Sequence, residues 1–380
     1  MSSSAAEPAG ASLPPSARGF RAVALSILRI IGSFGIPIVA FFLMWLTFDF
    51  LRDNEANRFA IVGVAIVVGV VGIFLLFWAM NRAVDLLPIH FREGVRPYIF
   101  VGPALVILAV FLVYPVFNTI FLSFQDARGE NFIGLDNYSY VFTDPTMLKA
   151  IRNTLGWIVI VPAVAVSVGL VFATLADRLR RGEAVAKSLI FLPMAISFAG
   201  ASITFRLIYS FRPEGFGDNI GLLNGIMVGI GQDPVPWIQQ EPWNNLLLMV
   251  IMIWMQTGFA MIVLSAAIKS IPDEIIEAAR IDGASEFQVF RRIIVPTIVP
   301  TIVVVTTYMV INAMKVFDIV FIFGNAEADG TVVIAERMIR WFFISGHDGR
   351  GAAIAVVLFL AVIPVMIWNV RKFREQEEIR

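Results

Sequence analysis

Apolar residues are arranged along the chain in eight long runs that polar segments separate. The runs lie near residues 30–51, 59–80, 98–124, 153–175, 188–210, 244–268, 297–323 and 351–370. Each run is close to the roughly 20 apolar residues that an α-helix needs to cross a bilayer. Because backbone groups in lipid must satisfy one another, a helix is the expected element for every run. The pattern predicts an all-α integral membrane protein with about eight transmembrane helices.

The composition supports this class and narrows the available chemistry. Hydrophobic residues make up 58% of the 380 residues and charged residues 15%, which is too little polar surface for a water-soluble domain of this size. The 29 basic and 29 acidic residues balance, so no charged field would attract nucleic acid. Cysteine is absent and only two histidines occur, His90 and His347. We therefore expect no catalytic residue and no metal site.

The Lys and Arg residues of the loops predict the orientation. With the N-terminus in the cytoplasm, most of them fall in the inner segments, as the positive-inside rule requires. An even number of spans then places both termini in the cytoplasm. Residues 1–20, rich in Ser, Ala, Pro and Gly, are predicted to be a disordered tail, and 371–380 a second tail. Residues 21–97 are predicted to be an accessory pair of spans with a cytoplasmic linker, and 98–370 the six-span core.

The strongest local signal is the predicted cytoplasmic loop 270–296. Ser270 with Asp273, and Ser285 with Gln288, have the spacing of capping boxes. Gly283 between them suits the end of a helix, so the pattern predicts two short helices joined at this glycine. Apolar and charged residues are interleaved in both helices. Two interpretations stay open: an amphipathic loop on the lipid surface, or a stiff docking site for a cytoplasmic protein.

This loop resembles the EAA loop of ABC importer permeases. The positions that match at fixed spacing are Glu277, Ala278, Ala279, Asp282, Gly283, Ala284, Gln288, Phe290, Ile293 and Pro296. Over about 98–380 the chain resembles the permease family of binding-protein-dependent sugar importers, which includes the F-type subunit of the maltose importer. The stretch 351–372 is most similar to the α-glucoside branch. The resemblance implies a six-helix permease core, which the two N-terminal helices precede.

The resemblance also implies partners. In the family, the EAA loop seats in a cleft of a separate ATP-binding subunit, and this chain lacks the Gly-x-x-x-x-Gly-Lys-[Ser/Thr] phosphate loop, so we expect it to bind no cofactor itself. Further implications are an ATP-binding dimer, a second permease subunit, an extracytoplasmic solute-binding protein, a sugar substrate of the α-glucoside, maltose or trehalose type, and a prokaryotic plasma (inner) membrane. The coupling residues that it implies are Glu277, Ala278, Ala279, Asp282 and Gly283. Phe287 and Phe290 are expected apolar anchors.

Polar residues inside spans are candidates for substrate binding. The seventh run carries Tyr308, Asn312, Lys315 and Asp318 at spacings of three and four, which would place them on one helical face. One interpretation is that Lys315 and Asp318 neutralise each other. The other is that Asn312 and Tyr308 hydrogen-bond a sugar with the charged residues nearby.

Two further candidates complete the predicted substrate site. Gln256 in the sixth run has the amide chemistry that sugar hydroxyls need, although helix–helix hydrogen bonding by Gln is equally common in bilayers. The resemblance places Ser197 in a turn of the fifth run that corresponds to a substrate-binding segment. The expected substrate-binding residues are Ser197, Gln256, Tyr308, Asn312 and Lys315.

Two other classes of function compete with the importer. An ion-coupled secondary transporter would use membrane carboxylates beside discontinuous helices, and Asp318 and Asp49 are the candidates. A membrane enzyme would need a catalytic constellation, which two scattered histidines and no cysteine do not provide. The expected function is therefore a permease subunit that alternates between inward-open and outward-open states as a separate ATPase closes and opens.

Overall fold

Helices make up all the regular structure in the part of the chain that the computed structural model describes, apart from one β-bridge between Gln125 and Phe132. The described residues are 31, 35, 38–49, 51, 58–87, 89–179, 181–213, 215, 217, 220–324, 326, 328 and 330–377. The helices are α1 Ile38–Asp49, α2 Arg58–Leu86, α3 Ile89–Leu108, α4 Tyr114–Leu122, α5 Asp136–Thr143, α6 Pro145–Asp177, α7 Glu183–Phe191, α8 Phe198–Ile208, α9 Leu222–Gly229, α10 Trp243–Lys269, α11 Asp273–Ile281, α12 Glu286–Val289, α13 Val295–Met314, α14 Asp318–Phe323, α15 Ile334–Ile339 and α16 Asp348–Glu377. Short π-helical turns occur at Ala109–Val113, Phe290–Ile294 and Arg340–Ile344.

Six helical segments of the described residues are long and apolar enough to cross a membrane. They are Ile61–Leu86, Val101–Leu122, Pro145–Asp177, Trp243–Lys269, Glu286–Met314 and Asp348–Ile367. The multi-span helical class is therefore confirmed, but the number eight is not. In the first predicted run, the structure describes helix α1 at Ile38–Asp49 and the helical residues Ile31, Gly35 and Leu51. Parts of that run and the predicted tail 1–20 lie outside the described residues.

The fifth run is not the single helix that its hydropathy predicts. Helix α7 is followed by a 3-10 turn at Leu192–Ala195, which contains Pro193, and α8 then departs at 95°. Ser197 begins α8, because its hydroxyl accepts a hydrogen bond from the backbone N–H of Gly200 at 3.0 Å. Counted as one span, this bent pair raises the number of candidate spans among the described residues to seven.

The seventh run also breaks. Helix α13 ends at Met314, and α14 begins at Asp318. Lys315 caps the C-terminal end of α13 and Asp318 lies in the first turn of α14, where the helix dipoles favour a cation and an anion respectively. The prediction that these two residues continue the helical face of Tyr308 and Asn312 is therefore wrong. Among the described residues, Lys315 and Asp318 also form no ion pair with each other.

The chain divides into two units, Met1–Val116 and Phe117–Arg380. In the second unit, α10 packs closely along α6 and α7. A Cβ on Gly169 of α6 would lie 2.5 Å from the Cβ of Ala260, and one on Gly258 of α10 would lie 2.5 Å from the carbonyl oxygen of Ile190. Small residues at such crossings let helices in a membrane approach closely. The predicted boundaries near residues 20, 97 and 370 stay predictions.

Candidate functional site

The loop between α10 and α13 folds as two short helices that meet at Gly283. The φ angle of Gly283 is +82°, a left-handed conformation that glycine adopts at no steric cost. Beyond it, the backbone N–H of Ser285 donates to Oε1 of Gln288 at 2.7 Å, and the N–H of Gln288 donates to Oγ of Ser285 at 3.4 Å. The predicted helix–glycine–helix arrangement and its second capping box are both present.

The first predicted capping box, Ser270 with Asp273, does not form. The hydroxyl of Ser270 donates instead to the backbone carbonyl of Ala267 at 2.7 Å, inside the last turn of α10. Helix α11 begins directly after Pro272, with no side-chain cap. Asp273 and Glu274 occupy its first turn, where negative charge stabilises the helix dipole, so the start of α11 has electrostatic support in place of a cap.

An exposed ion pair connects α11 and α12. Nε of Arg280 donates to Oε1 of Glu286 at 2.8 Å, and its Nη2 donates to Oε2 at 3.2 Å. This two-point contact raises the pKa of the Arg280 guanidinium above its ordinary value. Arg178, at the C-terminal end of α6, donates to the same carboxylate at 3.3 Å. These contacts join the two helices of the loop to each other and to the C-terminal end of α6.

The loop exposes large apolar side chains. The side chains of Ile281, Phe287 and Ile275 are 86%, 69% and 49% exposed. The other predicted coupling residues are exposed at Glu277, Ala278, Asp282 and Gly283 and half-buried at Ala279 and Phe290. Apolar groups that a rigid turn holds in solvent are typical of a surface that another partner covers.

A charged cluster, which the sequence analysis missed, ties the base of the loop to the core. Nζ of Lys187 donates to Asp177 at 2.5 Å, to Glu183 at 2.6 Å and to the hydroxyl of Ser265, and Lys269 also donates to Glu183. The cluster joins the end of α6, the start of α7 and the end of α10, from which the loop departs. The sequence shows these charged residues next to the ends of three predicted spans. Only the packing of α6, α7 and α10 brings them into contact.

A cavity of about 230 Å³ lies at the other end of α13. It forms where α13 breaks, where α8 begins and where α10 passes. Its lining residues are Phe198, Met252, Asn312, Lys315, Val316, Phe317, Asp318 and Ile319. The amide nitrogen of Asn312 donates to the backbone carbonyl of Tyr308 at 2.9 Å, which leaves its second N–H and its carbonyl oxygen for a ligand. We call this the first cavity.

The first cavity brings together two of the five predicted substrate residues, Asn312 and Lys315. Tyr308 lies one turn earlier, where its ring centroid is 4.6 Å from that of Phe259. Ser197 caps α8 next to the cavity without lining it. Gln256 is buried in α10, and its Oε1 has no hydrogen-bond partner among the described residues.

Sequence reasoning missed the apolar walls of this cavity, to which Phe198, Met252 and Phe317 contribute. One feature of the sequence could have located the cavity. A Lys followed three residues later by an Asp suits the end of one helix and the start of the next. Inside a long apolar run, this pair marks the break between α13 and α14.

Comparison with known proteins agrees with this architecture. Residues 165–371 match the family described as "Binding-protein-dependent transport system inner membrane component". The chain is 51% identical over 281 residues to the osmoprotective compounds uptake permease protein GgtC of Synechocystis sp., which covers 74% of this chain and 100% of that protein. It is 45% identical over 319 residues to the alpha-glucoside transport system permease protein AglF of Rhizobium meliloti, which covers 80% of this chain and 94% of that one.

A solved structure has the same fold. It is that of a bacterial ABC transporter involved in the import of the acidic polysaccharide alginate, and it matches with a TM-score of 0.66 at 22% identity over 75% of this chain and 97% of that chain. The family match and both sequence relatives cover more than half of the chain, which is enough to assign its family. The chain belongs to the family of inner membrane components of binding-protein-dependent transport systems.

Proposed function

We propose that the chain is the transmembrane permease subunit of an ATP-driven importer of sugars of the α-glucoside, maltose or trehalose type. Its family supports the permease role, and its relatives are transport components, not enzymes. The name of the α-glucoside permease supports the substrate class. The proposed partners are a dimer of ATP-binding subunits, a second and different permease subunit, an extracytoplasmic solute-binding protein and membrane lipids, with no nucleic acid. ATP is bound by the partner, and this chain holds no cofactor.

The observation that carries the proposal is the placement of α13. Its 20 residues, which include Pro300, span about 30 Å. Through the π-helical turn Phe290–Ile294, the helix connects the exposed loop at its N-terminal end with the first cavity at its C-terminal end. A closing ATPase that moves the loop would therefore move one wall of the cavity. This is the connection that alternating access requires, because nucleotide binding on one side must change the exposure of a membrane site.

Each coupling residue has a proposed role in the interface. Gly283 makes the turn, and Glu277 and Asp282 face basic groups of the ATP-binding subunit. Ala278 and Ala279 are small enough to let the two surfaces approach. Phe287 is the main apolar anchor, since its ring is 69% exposed. Phe290 is half-buried and packs at the edge of the interface.

The proposed substrate contacts centre on the first cavity. Asn312 supplies amide hydrogen bonds to sugar hydroxyls, and Lys315 supplies charged donors. Gln256 is the proposed contact in a second conformation, in which α10 and α13 separate and its unpartnered Oε1 finds a ligand. Ser197 and Tyr308 are further proposed substrate contacts in this second conformation. Ser197 at the start of α8 and Tyr308 in α13 both lie close to the first cavity.

The proposed location is the plasma (inner) membrane of a prokaryote. The positive-inside pattern supports an orientation with both termini and the loop 270–296, which we call the coupling loop, in the cytoplasm. In this orientation, α8 runs outward from its bend, and its C-terminal end lies near the outer surface. The six spans within 98–370 form the proposed core, and the two N-terminal spans are accessory.

Purification from the native membrane in mild detergent tests the proposal. We expect a second permease and two copies of an ATP-binding subunit to stay with the chain. Glu277→Lys should release the ATP-binding subunit and retain the second permease, whereas Glu130→Lys, a matched change on an exposed loop elsewhere, should release neither. A chain that purifies alone or as a homodimer at every detergent strength would contradict the proposal. Sugar uptake that a protonophore abolishes at constant ATP would also contradict it.

A further inference from the structure

A second cavity, of about 350 Å³, lies at the C-terminal end of α8. Its lining residues are Arg206, Tyr209, Ser210, Phe211, Pro236, Trp237, Ile238, Gln239 and Phe323. This volume falls within the roughly 300–1,000 Å³ of typical small-molecule pockets. No residue of the predicted substrate site or of the coupling loop contributes to it.

The second cavity and the first cavity lie at opposite ends of the same two helices. Phe198 at the start of α8 and Asp318 at the start of α14 line the first cavity. Arg206 near the end of α8 and Phe323 at the end of α14 line the second. Phe198 and Arg206 are eight residues apart on α8, which corresponds to about 12 Å along the helix axis. In the proposed orientation, a solute from outside would reach the second cavity before the first.

The lining residues have the chemistry of a saccharide site. Sugar rings stack their C–H faces on aromatic side chains, and Tyr209, Phe211, Trp237 and Phe323 supply several. Planar polar side chains and hydroxyls then bond the sugar OH groups. The polar groups available are the guanidinium of Arg206, the carboxamide of Gln239 and the hydroxyl of Ser210.

A fully buried amide holds the aromatic wall in place. Oδ1 of Asn224 accepts from the indole Nε1–H of Trp237 at 3.0 Å and from the backbone N–H of Val235 at 2.8 Å. Nδ2 of Asn224 donates to the backbone carbonyl of Ser210 at 2.9 Å. The polar edge of the indole is thereby occupied, so Trp237 offers its apolar surface to the cavity. A wall fixed in this way needs no ordering when a ligand binds.

A hydrogen bond from its polar end also fixes the orientation of Tyr209. Its hydroxyl donates to the backbone carbonyl of Leu247 at 3.1 Å. Its ring centroid is 6.3 Å from that of Phe323 and 5.6 Å from that of Phe205. Because the hydroxyl points into the core, the part of Tyr209 that meets the cavity is aromatic.

Arg206 is the charged group of the cavity and has free hydrogen-bonding capacity. One of its terminal nitrogens donates to the backbone carbonyl of Ile322 at 3.1 Å. No carboxylate pairs with it in the described part of the chain. A guanidinium carries five N–H donors, so several are available to ligand hydroxyls.

The geometry points to the second cavity as a saccharide subsite that receives the substrate before it reaches the first cavity. This inference rests on the proposed function for the direction of transport and for the sugar class. The ligand is one ring of a neutral oligosaccharide, stacked on Trp237 and bonded by Arg206 and Gln239. The neutral class of the sugar comes from the proposed function, because a guanidinium by itself would also bind a carboxylate.

The absence of cysteine from this chain makes a direct test possible. In the purified whole transporter, Ser210→Cys is labelled with a thiol reagent over a maltose titration, and the label on this chain is read by mass. Labelling should slow roughly tenfold at about ten times the dissociation constant of maltose. Adding Trp237→Ala should abolish this protection, and Trp243→Ala, at an exposed Trp outside both cavities, should retain it. Ile238→Cys, at another lining position without a proposed bond to the sugar, replaces Ser210→Cys should the latter fail to assemble.

Three controls separate the possible failures. In an Asn312→Ala background, protection of Ser210→Cys should persist, because the second cavity binds sugar by itself. Protection of Lys315→Cys in the first cavity without protection of Ser210→Cys would overturn the inference and leave the proposed function intact. Protection of neither position by maltose, trehalose or an α-glucoside, with no ATP-driven uptake of any of the three, would overturn the proposed function. Stronger protection by galacturonate than by maltose would overturn the choice of a neutral sugar.

Discussion

The two ends of α13 are built in contrasting ways. At the N-terminal end, two short helices expose Ile281 and Phe287 to solvent, and an exposed ion pair between Arg280 and Glu286 connects them. At the C-terminal end, the polar side chain of Asn312 borders a cavity that apolar residues of several helices enclose. The first end displays apolar groups to water, and the second places polar groups beside the apolar walls of a cavity.

This contrast separates two kinds of binding on one helix. Apolar side chains held in solvent suit a protein partner that will cover them. Polar side chains in an apolar setting suit a small polar ligand, whose hydroxyl groups they bond. Substitutions at the first end should therefore affect assembly for every substrate. Substitutions at the second end should affect the substrate and leave assembly unchanged.

The largest expected effect belongs to Gly283→Val. A left-handed conformation costs non-glycine residues about 1–2 kcal/mol, and a β-branched residue is a strong outlier there. No atom lies within 4 Å of a Cβ at Gly283, so backbone strain is the only cause. We expect the loop to change shape, the ATP-binding subunit to dissociate on purification, and transport to fall by more than tenfold.

Gly346→Val is the matched control. Gly346 has a φ of +61° and equally open surroundings, but it lies outside the coupling loop. It should retain the ATP-binding subunit. Equal loss of the subunit from both variants would show that the coupling loop has no special role.

Phe287→Ala should have the next largest effect. Removal of a central aromatic anchor typically weakens a protein interface by about 2 kcal/mol, which is roughly thirtyfold in the dissociation constant. Affinity of the reconstituted permease pair for the ATP-binding subunit measures this. Phe343→Ala, at a ring that is 78% exposed and far from the loop in sequence, should leave the affinity unchanged. An unchanged affinity in Phe287→Ala would place the docking surface elsewhere.

Asn312→Ala should produce the opposite pattern. Loss of one hydrogen bond to the sugar costs about 1 kcal/mol, so the KM for sugar uptake should rise roughly fivefold while the ATP-binding subunit stays bound. Thr297→Ala, at the exposed loop end of the same helix, is the control and should not change the KM. A loss of assembly in Asn312→Ala with an unchanged KM would remove the distinction between the two ends.

Arg280→Gln should have the smallest effect. Exposed ion pairs stabilise little and are screened by salt, so affinity for the ATP-binding subunit should fall by roughly twofold at low salt. The difference from the unmodified chain should disappear at high salt. Arg291→Gln, at an exposed arginine without an ion pair among the described residues, should show no salt-dependent difference. A large effect that salt does not reduce would mean that Arg280 contacts the partner directly.

The coupling loop could be predicted because its structure is made by near neighbours. The Ser285–Gln288 capping box and the turn at Gly283 depend on residues a few positions apart, and both are present. The first capping box failed for an equally local reason. The hydroxyl of Ser270 donates a hydrogen bond to the backbone carbonyl of Ala267, and Pro272 is the residue directly before α11.

The first cavity could not be predicted to the same degree. Hydropathy stays high through Val316 and Phe317, so the apolar pattern continues across the break between α13 and α14. The bend between α7 and α8 also lies inside a continuous apolar run, so hydropathy does not indicate it. Cavity walls such as Met252 and Phe198 come from distant parts of the chain, and only packing brings them together. Asn312 and Lys315 were identified because a polar group inside an apolar run is costly unless it has a role.

The central claim is that nucleotide binding by the partner ATPase moves the coupling loop and, through α13, changes access to the first cavity. The most direct test is the labelling rate of Lys315→Cys from outside, in the reconstituted transporter with and without trapped ATP. Ser345→Cys, at an exposed position outside the cavity, is the control for changes in labelling rate that do not depend on access to the cavity. We predict that trapped ATP raises the rate at Lys315→Cys several-fold relative to Ser345→Cys. Equal rates at Lys315→Cys in the two states, with ATP shown to be bound, would contradict the account.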